Sequence, residues 1–240
     1  MKLARRWLLA ALLAGCVAPA VSIAQDKPND AVVPAPREGG WTKRHESFNE
    51  RVKQGNADLI FIGDSITQGW ENAGKNVWAE YYAKRNAVNL GIGGDRTQHV
   101  LWRLDHGNID GISPKLAVLM IGTNNSRDNT SEQIAAGVKE IVAKLRSKLP
   151  NTKVLVLAIF PRGPDKDNSN RKVNEGANEI IKGLADDKMA YYLDIGPKFL
   201  EADGTLNRDV MPDLLHLNEK SYRTWAESIE PKVKELMGEK

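Results

Sequence analysis

The sequence predicts an α/β fold in which helices cover both faces of one parallel sheet. Three observations predict it. Five near-continuous apolar runs recur along the chain. Segments with apolar residues at helical spacing separate them. Each run stops within two residues of a glycine or proline, where a strand gives way to a loop. Apolar runs without alternation suit strands buried on both faces. Strands that alternate with helices imply right-handed crossovers and parallel neighbours.

The strands are expected at 57–62 (ADLIFI), 87–90, 116–121 (LAVLMI), 154–159 (VLVLAI) and 190–195 (AYYLDI). The helices are expected at 42–54, 77–83, 97–105, 131–149, 171–185 and 219–236. Within 131–149, Ile134, Val138, Ile141, Val142 and Leu145 fall on one helical face, and Ser131 is the expected cap. No internal repeat or second domain interrupts the pattern, so the folded domain is expected over 41–240. A chain of 240 residues suits one medium domain better than two.

Ahead of this domain the sequence has another character. Lys2, Arg5 and Arg6 precede the apolar stretch Trp7-Leu8-Leu9-Ala10-Ala11-Leu12-Leu13. That stretch is too short to span a bilayer, which needs about 20 residues. Its basic-then-apolar order reads as a signal peptide over 1–24. Two cleavage sites compete. Leu13-Ala14-Gly15-Cys16 resembles a bacterial lipobox, which would remove 1–15 and leave a lipidated Cys16 as a membrane anchor. Ser22 and Ala24 suit ordinary cleavage before Gln25. Cys16 is the sole cysteine, so no intrachain disulfide forms. Residues 25–40 carry Pro28, Pro34, Pro36 and the Gly39-Gly40 pair, and they read as a flexible linker. The protein is expected to be exported: secreted, periplasmic or held at the envelope.

Composition narrows the function classes. Hydrophobic residues make up 41% and charged residues 27%, an ordinary soluble balance. There are 34 Lys and Arg against 31 Asp and Glu, and the surplus lies in Lys2, Arg5 and Arg6. The remaining chain is balanced, with basic and acidic residues interleaved. Nucleic acid, which needs a clustered basic face, is therefore excluded as a partner. No interface stripe decides between monomer and homodimer.

In a sheet of this kind ligands bind beyond the carboxyl ends of the strands. The loops there hold Gly63-Asp64-Ser65, Gly91-Ile92-Gly93-Gly94-Asp95, Gly122-Thr123-Asn124-Asn125, Pro161-Arg162-Gly163 and the segment before the last helix. Ser65, two residues past the first strand, can expose its hydroxyl as a nucleophile; by itself it equally suits a helix start. Its surroundings are not the Gly-x-Ser-x-Gly elbow, since Ile66-Thr67 follows. A hydroxyl nucleophile needs a base. His45, His99 and His106 fall on helices, whereas His216 lies in Pro212-Asp213-Leu214-Leu215-His216. Asp213, three residues earlier, is placed to accept from Nδ1 and leave Nε2 free for the serine proton. Such a base gives an activity that rises with pH as the imidazole loses its proton. Attack on a carbonyl also needs oxyanion donors. The N–H groups of Ser65 and Gly94 and the side-chain amide of Asn124 come from three strand ends and can supply them.

Together these residues resemble the SGNH (GDSL-type) hydrolase family. Its blocks match Gly63-Asp64-Ser65, Gly94, Gly122-Thr123-Asn124 and Asp213-Leu214-Leu215-His216. Within it, the run from Asn89 through Gly94-Asp95-Arg96-Thr97-Gln98-His99 to Leu104, with Phe160-Pro161-Arg162-Gly163 and Leu214-Leu215-His216-Leu217, is similar to the catalytic subunits of intracellular platelet-activating-factor acetylhydrolase. The likeness extends over about 41–238. It implies a flavodoxin-like three-layer α/β/α sandwich, with five parallel strands in the order 2-1-3-4-5. It implies no cofactor and no metal, with Ser65, His216 and Asp213 as triad and Ser65, Gly94 and Asn124 as oxyanion hole. Ile66, Thr123 and Leu215 adjoin these residues and are expected to wall a small acyl pocket, favouring acetyl or other short acyl groups. Those intracellular subunits lack an export signal. That departure puts their phospholipid substrate in doubt, and the expected substrate is a small-molecule or polysaccharide acyl ester, on carbohydrate or lipid, with acetylated polysaccharide favoured. A non-catalytic glycan binder anchored at the envelope is the competing reading, and the intact Ser65, Asp213 and His216 argue against it. A nucleotide site at Gly91-Ile92-Gly93-Gly94 is disfavoured, because the spacing is not Gly-x-Gly-x-x-Gly and no Walker lysine follows.

Overall fold

The computed structural model describes residues 28–240. The expected signal segment 1–24, with Cys16, lies outside the described residues. Five parallel strands, β1 (Leu59–Gly63), β2 (Ala87–Gly91), β3 (Leu116–Met120), β4 (Lys153–Leu157) and β5 (Ala190–Leu193), form one sheet in the order β2-β1-β3-β4-β5. The order reverses at β1, so β2 and β3 flank the strand that delivers Ser65. Gly63 lies level with Gly91 and with Met120, which brings three strand ends to one rim.

Among the described residues seven helices cover the sheet: α1 (Gly40–Lys53), α2 (Ser65–Gln68), α3 (Lys75–Tyr81), α4 (Thr97–Asp105), α5 (Ser131–Lys148), α6 (Ser169–Ile181) and α7 (Glu219–Met237). Successive strand residues point to opposite faces, and the core divides accordingly. Ile60, Ile62, Leu90, Leu119 and Val156 pack under α1, α4, α5 and α6. Leu59, Phe61, Val118, Leu155 and Leu157 pack under α2, α3 and α7. On the second face Phe61, Trp70, Tyr82 and Trp225 form a buried aromatic cluster, with Trp70 and Trp225 centroids 4.9 Å apart. Each such pair contributes about 0.5–1.5 kcal/mol beyond area burial. The Tyr222 hydroxyl donates to Ile66 O at 2.6 Å and ties α7 to the turn that carries Ser65.

Two expectations change. Ser131 is not the cap of α5. Thr130 caps it, its hydroxyl accepting from Gln133 N, while Ser131 Oγ donates to Val173 O on α6 at 2.8 Å. The segment expected as a flexible linker is held to the domain at Asp30, Ala31, Ala35 and Arg37, while its prolines stay exposed. Asp30–Val32 forms a short 3₁₀ turn and Ala31 is fully buried. Thr97 Oγ1 donates to Ala31 O at 2.7 Å, Ala35 N to Gln98 O at 3.2 Å and Asn129 Nδ2 to Asp30 Oδ1 at 2.6 Å. The prolines report the absence of helix or strand, not the absence of packing. Thr97 and Gln98 on α4 satisfy backbone groups of the segment, and Asn129 in the loop after β3 holds its Asp30 carboxylate.

Candidate active site

Ser65 opens α2 directly after β1. Asp64 caps that turn, its Oδ1 accepting from Ile66 N at 2.9 Å. Ser65 N–H is the first of the helix and has no intrahelical acceptor. Ser65 Oγ lies 2.9 Å from His216 Nε2, and His216 Nδ1 lies 2.6 Å from Asp213 Oδ2. Asp213 Oδ1 also accepts the backbone N–H groups of Leu215 (3.0 Å) and His216 (2.7 Å). Burial acts to raise the Asp213 pKa, but these bonds and the imidazole outweigh it and hold the carboxyl below its ordinary value. The carboxylate therefore stays an acceptor for Nδ1–H, which leaves Nε2 free to accept from Ser65.

The loop that presents His216 is tightly fixed. Leu214 has φ 61°, a left-handed conformation that costs a non-glycine residue about 1–3 kcal/mol. Leu214 N donates to Met211 O at 2.8 Å, and Leu214 O accepts from Gly163 N at 2.9 Å. The loop after β4 thus braces the histidine loop.

The expected oxyanion donors share one neighbourhood. Gly93 N donates to Gln68 Oε1 at 2.7 Å, and a Cβ placed on Gly93 would lie 3.8 Å from Ser65 Cβ. The glycine turn therefore abuts the serine. Gly94 N–H makes no hydrogen bond among the described residues. Asn124 Nδ2 donates one hydrogen to Asp95 O at 2.9 Å, which leaves the other available.

Of the expected acyl-pocket residues, Ile66 is buried, and Leu215, partly exposed, packs on the same apolar cluster. Thr123 is buried, its Oγ1 accepting from Arg162 Nη1 at 3.2 Å and Asn174 Nδ2 at 3.1 Å. The other three histidines have structural places. His45 is buried, stacks on Trp41 and bonds Asn108. His106 stacks on Trp102. Desolvation and the charges of Arg37, Arg96 and Arg103 lower His99 to about 4, and its neutral Nδ1 accepts from Arg96 N.

Sequence reasoning missed the buried support beneath the glycine turn. Asp95, fully buried, accepts from Trp41 Nε1 at 2.7 Å, Arg103 Nε at 2.9 Å and Arg37 Nη1 at 3.3 Å. Burial pushes its pKa up, and the Arg103, Trp41 and Arg37 donors oppose that rise. Arg103 also reaches Asn108 Oδ1 at 2.7 Å. Its position among Val100, Leu101 and Leu104 was the available signal, because an arginine on an apolar helix face needs a buried acceptor.

Asp64 Oδ2 is buried without a hydrogen-bond partner among the described residues. Burial pushes the Asp64 pKa from 3.8 up to about 7. The folded protein then keeps a proton that the unfolded chain releases. The stability this supplies is present at low pH and declines as pH rises from about 4 to about 7, by at most about 4 kcal/mol. Asp64→Asn keeps the capping oxygen and is expected to remove the decline. Melting temperatures of variant and wild type should diverge in the variant's favour across that window; a constant difference would contradict the assignment.

Residues 61–224 match the GDSL-like lipase/acylhydrolase family. The Bos taurus platelet-activating factor acetylhydrolase IB subunit alpha1 is 39% identical over 186 residues, covering 77% of this chain and 78% of that protein. The Rattus norvegicus alpha2 subunit is 34% identical over 224 residues, covering 90% and 96%. Among solved structures, a Streptococcus pneumonia chain described as a platelet activating factor superposes with a TM-score of 0.68 at 20% identity, over 80% of this chain and 92% of that one. Est24, a carbohydrate acetylesterase from Sinorhizobium meliloti, gives 0.57 at 18% identity, over 75% and 99%. The acetyl xylan esterase AlAXEase gives 0.60 at 22% identity, over 73% and 98%. These structures share the fold. The family match and the two mammalian subunits carry more, since they extend over most of the sequence. The chain belongs to the GDSL-like lipase/acylhydrolase family, and it is a carboxylic ester hydrolase.

Proposed function

We propose that the protein hydrolyses short-chain acyl esters, acetyl esters foremost, through an acyl-enzyme on Ser65. The relay Ser65 Oγ–His216 Nε2 at 2.9 Å and His216 Nδ1–Asp213 Oδ2 at 2.6 Å carries this reading. Ser65 Oγ attacks the ester carbonyl while Nε2 takes its proton. The carbonyl oxygen gathers negative charge against Ser65 N–H, Gly94 N–H and the free Asn124 amide hydrogen. As the tetrahedral species collapses, the imidazolium returns the proton to the departing alcohol. Water then attacks acyl-Ser65 with His216 again as base, and the acid leaves.

Asn124→Ala is expected to lower kcat by about 10²–10³-fold with little change in KM. Steady-state kinetics on p-nitrophenyl acetate checks this. A loss confined to KM would remove Asn124 from the oxyanion hole.

The substrate is proposed to be an acetylated carbohydrate. The relay lies at an open rim, with partly exposed His216 and Asp213, so a bulky alcohol can reach Ser65. The names of the acetylesterase neighbours support the same class. The test is a panel of p-nitrophenyl acetate, butyrate and octanoate, acetylated xylan and platelet-activating factor. The expected result is fastest turnover of acetate among the aryl esters and release of acetate from xylan. Preference for octanoate or platelet-activating factor would overturn the acetyl-carbohydrate reading. Export belongs to the same proposal. The mass of the cell-derived protein should show an N-terminus at Gln25 or an acylated Cys16; a retained Met1 would contradict it.

A further inference from the structure

The N-terminal segment reaches the glycine turn through Arg37. We propose that Arg37 is a positioning residue for esterase catalysis, orienting the Gly94 N–H through the peptide unit between Gly93 and Gly94. The proposal rests on the oxyanion role given to Gly94 above.

Arg37 Nη1 donates to Gly93 O at 2.8 Å and to Asp95 Oδ1 at 3.3 Å. Gly93 O and Gly94 N–H belong to one planar trans peptide, so they point in opposite directions. Holding the oxygen on one side aims the N–H to the other. The bond matters at this place because glycines flank the peptide and Gly94 has φ 76°. A Gly-Gly peptide rotates with little steric penalty. A rotated unit would turn its carbonyl, not its N–H, toward the developing oxyanion. Drawing charge toward Gly93 O also strengthens the same unit's N–H as a donor.

The guanidinium covers this turn. A Cβ placed on Gly94 would lie 3.2 Å from both Nη1 and Nη2. Gly94 is otherwise exposed, so Arg37 is the group that backs its outer side. The segment beneath Arg37 is itself anchored. Thr97 holds Ala31, Gln98 holds Ala35, and Thr42 Oγ1 donates to Arg37 O at 3.2 Å. Trp41, at the start of α1, shares Asp95 Oδ1 with Arg37. One buried carboxylate therefore joins the chain ahead of the domain to the turn beside Ser65. Residues 30–39 are by this account part of the catalytic apparatus and not a spacer.

The test uses the whole chain with Arg37→Met and Arg37→Lys, assayed on p-nitrophenyl acetate. Active sites are counted by end-point labelling with an organophosphonate, so that kcat refers to folded enzyme. Arg37→Met is expected to lower kcat by about 10–100-fold with KM within about twofold. Arg37→Lys, which can reach Gly93 O with one donor, and added ethylguanidinium with Arg37→Met, should each restore part of the loss. Wild-type kcat per labelled site in Arg37→Met overturns the proposal, as does a loss carried by KM or one that neither lysine nor ethylguanidinium relieves. Ser65→Ala in the same assay separates the two claims. An active Ser65→Ala defeats the reading of the site itself, whereas an unaffected Arg37→Met defeats only the role of Arg37.

Discussion

Ser65→Ala is expected to lower kcat for p-nitrophenyl acetate by on the order of 10⁶-fold and to leave the fold intact. The size follows from the role. Without the hydroxyl no acyl-enzyme forms, and water must attack a bound ester with no nucleophile placed beside it. A small acceleration over buffer should survive, because Gly94 N–H and the Asn124 amide still meet the carbonyl oxygen. The fold should tolerate the change, since the hydroxyl's hydrogen bond is to His216, which is itself partly exposed. Turnover per purified chain, with a melting curve of the same sample, checks both halves. Activity within tenfold of wild type would remove Ser65 from the chemistry.

Asp213→Asn is expected to lower kcat by about 10³–10⁴-fold. The asparagine oxygen can still accept from the N–H groups of Leu215 and His216, so the loop keeps its shape. Its amide NH₂ then faces His216 Nδ1. That contact favours the tautomer with the proton on Nε2, where it can no longer accept from Ser65. The asparagine also cannot balance the positive imidazole that forms during attack. The lower part of the range is expected because the Asp213 and His216 side chains are 56% and 44% exposed, so water supplies some of the lost stabilisation. A variant with wild-type kcat would show that Asp213 shapes the loop without tuning the base.

Much of this site was legible because its parts sit where strands end. The apolar runs located β1 to β5, and the glycines after them marked the rim. Some of those glycines answer packing needs. A Cβ on Gly63 would lie 2.4 Å from Met120 O, and one on Gly91 would lie 2.3 Å from Gln68 N. Strand and helix ends moved by a few residues: a 3₁₀ turn at Ala83–Arg85 follows α3, and α6 gives way at Lys182–Leu184, inside the stretch expected as one helix, to another. Tertiary satisfaction of irregular backbone was not legible. Ala31 and Thr97 are 66 positions apart, and Arg37 and Gly93 are 56 apart. Proline and glycine content cannot reveal such pairings. Arg103 was half legible: its place on the apolar face of α4 called for a buried acceptor, and only the fold shows that Asp95 supplies it.

Mapping the serine that reacts with an organophosphonate tests the account most directly. Labelled protein is digested, and the modified peptide is sequenced by mass spectrometry. The phosphonyl group should sit on Ser65 alone, with labelling and esterase activity lost in step. Full labelling at another residue, or no labelling of a chain that still turns over acetyl esters, would contradict it.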